Sequence, residues 1–97
     1  MVTDADAELF NRADAVIHLA NSQLEGIGRG KVSASCMYAS ARFSSWLSAT
    51  GFSSAEEMQN AKEETLDYFT TQYRAMLDEN YQDYVDNFAK YMQPRES

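Results

Sequence analysis

Cysteine occurs once in these 97 residues, at Cys36, and proline once, at Pro94, close to the C-terminal end. A single cysteine excludes an intrachain disulfide framework and fits a reducing compartment. No apolar run approaches the roughly 20 residues that span a bilayer. The start, Met1-Val2-Thr3-Asp4-Ala5-Asp6, is acidic and carries no apolar signal segment. The expectation is a cytoplasmic protein with no membrane partner. Positive charge is also scarce, at 8 Lys and Arg against 15 Asp and Glu, for a net charge of -7. Phosphate neutralisation drives general nucleic-acid binding, so that class is excluded.

Apolar residues make up 44% of the chain and aromatics 12%, a globular composition. The length fits one domain over residues 1–97, with a core small enough that oligomerisation commonly supplements it. Charge is unevenly placed. Gly26 to Ala55 contains no Asp or Glu, yet holds Arg29, Lys31 and Arg42, all four glycines, the one Cys and the one Trp. The flanking segments are acidic. A stretch without carboxylates is either buried or faces something negative.

Hydrophobic spacing predicts an all-α protein, a small bundle of three helices. Phe10, Ala13, Ile17, Ala20 and Leu24 recur at three and four, placing a first helix over about Asp6 to Glu25. Asp4, Asp6 and Glu8 suit its N-terminal dipole. Gly26-Ile27-Gly28-Arg29-Gly30 stops it. A second helix runs from Lys31 or Val32 to Thr50, with Val32, Cys36, Ala39, Phe43 and Leu47 on its apolar face and Gly51 beyond its end. Its many Ser and Ala residues make it thin, which suggests burial between acidic neighbours. Cys36 then reads as a small buried hydrophobe.

A third helix opens at Ser53-Ser54-Ala55-Glu56-Glu57, where Ser53 with Glu56 or Ser54 with Glu57 has capping-box spacing. Its pattern continues to about Met92. Unbroken, it would be about 58 Å long, against a radius of gyration near 13 Å for a compact domain of this size. The apolar phase shifts at Asp78-Glu79-Asn80, and Asn80 is a good N-cap. The helix is therefore expected to bend or break at Asp78–Asn80, giving a fourth from Tyr81 to Met92.

No catalytic, cofactor or metal constellation emerges. The glycine segment fails as a phosphate loop: Glu25 stands where the first Gly belongs, and Val32 where Ser or Thr should follow Lys31. A small-anion or nucleotide-ligand site at Arg29, Lys31 and the second helix's N-terminus is the alternative reading, set against solvated charges on a turn. His18 lies off the apolar face and reads as a surface residue. Asp78 to Asp83 lacks the Gly and the bidentate Glu of a calcium loop.

Tyr38, Arg42 and Trp46 share one ridge of the second helix. Arginine between aromatic rings gains cation-π attraction, and these residue types dominate binding hot spots. The ridge is the candidate partner surface, unless it packs within its own chain. The tyrosine-rich stripe of Phe69, Tyr73, Tyr81, Tyr84, Phe88 and Tyr91 suits a half-wet interface. The leading expectation is a non-enzymatic association module that meets a second copy of itself or another protein.

Four segments carry a family resemblance: Ala13 to Asn21, Gly30 to Phe43, Ala55-Glu56-Glu57, and Tyr73 to Phe88. Over nearly its whole length the chain resembles a bacterial family, domain of unknown function 3144. The resemblance implies a small, single, all-helical protein with no assigned activity. It carries over no catalytic or binding residues.

Overall fold

The computed structural model describes residues 8–92. Among them are five helices and no strand: α1 (Leu9–Ser22), α2 (Arg29–Ala49), α3 (Ala55–Asn60), α4 (Lys62–Asp86) and α5 (Phe88–Tyr91). The all-helical class stands, but five helices replace the expected three. Asp4 and Asp6, assigned to the first helix, lie outside the described residues. The chain divides into two units, residues 2–58 and 59–97.

In the first unit, α1 and α2 are joined by a glycine turn. The Gln23 N–H closes α1 on the Ala20 carbonyl at 3.0 Å, and Ile27 N–H bonds the Leu24 carbonyl at 3.2 Å. Gly26 has φ 82°, the one positive φ among the described residues. A side chain there would strain the backbone. Gly28 is extended and caps α2, its carbonyl accepting from Lys31 N–H at 3.1 Å and Val32 N–H at 3.2 Å. The helix thus starts at Arg29, two residues before the expected start. Burial gathers at this turn: Val32 is buried at 5% exposure, and Ala20 and Leu24 are half-buried. Beyond it, Phe10, Ile17, Phe43 and Leu47 are exposed. The end of α2 is closed by Thr50, whose hydroxyl donates to the Leu47 carbonyl at 2.6 Å.

The capping box forms on Ser54 and Glu57. The Ser54 hydroxyl oxygen accepts from Glu57 N–H at 3.1 Å, and the Glu57 carboxylate accepts from Ser53 N–H at 2.6 Å. The alternative Ser53–Glu56 pairing is not used.

The break lies elsewhere than expected. α4 runs through Asp78–Asn80 without interruption, and the helical path departs at Ala61 and Asn87 instead. Two physical reasons account for the continuity. The Asn80 side-chain amide donates to the Met76 carbonyl at 2.8 Å, binding back onto the preceding turn rather than capping a new one. The apparent phase shift also disappears once Leu66 is counted, because Leu66, Tyr73, Leu77 and Tyr84 recur at spacings of seven, four and seven. They form a single stripe. With 25 residues, α4 is about 37 Å long at 1.5 Å per residue.

Asn87, at φ -122° and ψ 30°, is the residue that stops α4. Its side-chain amide donates to the Asp83 carbonyl at 3.0 Å and to the Asp83 carboxylate at 2.9 Å.

The glycines differ sharply in what they tolerate. Gly30 lies in the first turn of α2, and nothing stands within 4 Å of an added Cβ. Gly30→Ala should stabilise the protein by about 0.5–1 kcal/mol. Gly26→Ala should destabilise it by about 1–2 kcal/mol, because of the left-handed backbone. Urea unfolding of the two variants, with opposite shifts in midpoint, is the check.

Candidate functional site

α2 presents its chemistry outward. At 3.6 residues per turn, Val32, Ala39, Phe43 and Leu47 share one side, with Tyr38, Arg42 and Trp46 on the adjoining ridge. Tyr38 is 71% exposed, Phe43 63% and Trp46 59%, and Arg42 is exposed with them. The partly covered side of the helix carries Ser44 and Ser48, round from Phe43 and Leu47. The expectation of a thin helix buried between acidic neighbours is therefore corrected: only Val32 of α2 is buried. Cys36 is likewise exposed rather than buried.

The Tyr38–Arg42–Trp46 ridge is thus exposed along its length. Its internal contact differs from the expected guanidinium sandwich. The Trp46 ring pairs with Phe43, centroids 5.6 Å apart, as the i, i+3 spacing allows. The ridge and the apolar face are joined through this pair into one continuous aromatic surface. No carboxylate interrupts it between Arg29 and Ala49.

Arg29 and Lys31 take the first and third positions of α2, both exposed. Gly28 offers no side-chain cap. Cations at this end of a helix meet the positive pole of the dipole, which makes the turn unfavourable to them in the absence of a counter-charge.

In the second unit the stripe of α4 is also open. Leu66, Tyr73, Met76, Leu77 and Tyr84 are exposed, while Phe69 is half-buried and meets Tyr68 edge-on at 5.1 Å. At the C-terminal end a four-residue spacing gathers Asp83, Asn87 and Tyr91. The Tyr91 hydroxyl donates to the Asp83 carboxylate at 2.9 Å, and the Tyr91 ring lies 4.7 Å from that of Tyr84. Lys90 sits 5.8 Å from the Tyr91 ring centroid. The regular spacing of residues 83, 87 and 91 was visible in the sequence and is the signal that would have located this cluster.

His18 is exposed on α1 and Cys36 on α2. Among the described residues no three His, Cys, Asp or Glu side chains group to hold a metal ion. No described helix is long and apolar enough to cross a membrane.

Residues 9–85 match the family model described as "Protein of unknown function (DUF3144)". Three of the four segments that carried the resemblance, and most of the fourth, fall inside that span. The chain is also similar to a solved structure, the NMR structure of the protein NB7890A from Shewanella sp, at 41% identity and a TM-score of 0.76, covering 91% of this chain and 94% of that one. No curated protein matches the chain.

The Tyr91 hydroxyl titrates above its ordinary value of 10.0, because its proton is held by the hydrogen bond to Asp83 and the phenolate would be repelled by that carboxylate. A raised value stabilises the docked α5 at any pH below the unfolded value. The contribution is lost as pH rises through the raised one. An absorbance titration should show one late tyrosine, and Tyr91→Phe should remove that phase alone.

Proposed function

The chain belongs to the DUF3144 family, and on that premise we propose that it works as a protein-association module without catalytic chemistry of its own. One observation supports this above the others. Among the described residues a single hydrophobic side chain, Val32, is buried, while large apolar side chains on α1, α2, α4 and α5 are exposed. Fixing one residue's backbone costs about 1–2 kcal/mol. Burying a large apolar side chain returns about 1.5–3 kcal/mol. One buried valine returns little against the ordering of five helices, and covering the aromatic faces would add to that return.

The exposed residues are also of the right kind. Tyr, Trp and Arg are the side chains that carry most interface energy. The family model spans both units, which supports treating residues 1–97 as one domain completed by association. The anion reading of Arg29 and Lys31 rests on two solvated cations at a helix start, and no second group joins them.

Light scattering coupled to size exclusion tests the proposal. Above micromolar concentration the mass should exceed the 11.0 kDa of one chain, and the melting temperature should rise with concentration. Trp46, the single tryptophan, should shift its emission to the red on dilution as its cover is lost. A chain that stays at 11.0 kDa and melts cooperatively at a concentration-independent temperature would overturn the proposal.

A further inference from the structure

Building on the association reading, we infer that the partner is a second copy of this chain, with α2 of each protomer seated on the α4 stripe of the other. Charge complementarity is the observation that carries it. From Arg29 to Ala49, α2 has no acid and three cations, Arg29, Lys31 and Arg42, all exposed. α4 carries Glu63, Glu64, Asp67, Asp78, Glu79, Asp83 and Asp86 against Lys62 and Arg74. Both helices expose an aromatic surface beside those charges.

The alternatives within a homodimer fit less well. α4 against α4 would bring two acidic helices together. α2 against α2 would face Arg42 with Arg42 across the aromatic surface and leave the α4 stripe bare. Like charges juxtaposed at an interface cost several kcal/mol. Only the crossed pairing matches charge and covers both aromatic surfaces.

The crossed pairing is also self-complementary: about a two-fold axis each protomer gives its α2 and receives its partner's. The lengths agree: 21 residues of α2 and 25 of α4 measure about 32 and 37 Å at 1.5 Å per residue. Arg42 stands mid-helix with Tyr38 one turn before it and Trp46 one turn after. The tyrosines of the α4 stripe offer it ring faces, and the acids beside the stripe offer it charge. Glu63 lies one turn before Leu66 and Glu79 one turn after Met76, so these two carboxylates border the stripe.

A charge-reversal and mixing experiment tests the inference. The wild-type chain should run at about twice 11.0 kDa, with a dimer dissociation constant that rises with salt. Arg42→Glu should weaken the dimer at least about tenfold, and so should Glu63→Lys with Glu79→Lys. Mixed in equal amounts, the two variants should recover a dimer holding one chain of each, because that pairing keeps one native contact and reverses the other. A wild-type dimer insensitive to salt, an Arg42→Glu dimer of undiminished strength, or a mixture that stays monomeric overturns the crossed arrangement while leaving the association reading intact. A wild-type monomer overturns both. Circular dichroism of the variants and the milder Arg42→Gln guard against a folding defect, and the salt dependence of the wild type decides the matter without any variant.

Discussion

The hydrophobic effect acts on this chain under an unusual constraint: helices form, yet among the described residues Val32 is the one buried hydrophobic side chain. Val32 is buried at the turn where α1 gives way to α2. Away from that turn the α2 face is open, from Cys36 through Phe43 and Trp46 to Leu47. Most helical stability in proteins comes from packing an amphipathic face rather than from intrinsic propensity. A helix as rich in Ser and aromatic residues as α2 has modest propensity of its own. Cover on its exposed face would therefore add to its stability as a helix.

Local hydrogen bonding does what distant packing does not. Each helix boundary is held by groups within a few residues in sequence: Gly26 and Gly28 between α1 and α2, Thr50 at the end of α2, the Ser54–Glu57 box at the start of α3. The Asp83–Asn87–Tyr91 cluster turns the chain after α4 by the same means. Such short-range bonds define where helices begin and end at small entropic cost. They say nothing about which helices meet.

Charge segregation gives the exposed surfaces a direction. The protein is acidic at both ends and net positive only in the acid-free stretch that holds Arg29, Lys31 and Arg42. Net negative charge makes like surfaces repel, while the cationic, acid-free α2 is the surface that an acidic one does not repel. An aromatic surface with an arginine at its centre and no carboxylate nearby is suited to an acidic partner.

The residues alone determined the helical class, the glycine turn, the capping box and the family, because each depends on groups close in sequence. Periodicity gave α1 and α2 to within a few residues. It misplaced the break in the third helix because Leu66 was left out of the stripe and because Asn80 had two uses for its amide, of which N-capping was only one. The Asp83–Asn87–Tyr91 spacing was present but unremarkable until the hydroxyl and carboxylate were seen to meet. What only the tertiary structure decided is which face is covered. A spacing pattern marks an apolar face but cannot say what lies on it, and so Cys36, Phe43 and Leu47 read as core although they are exposed.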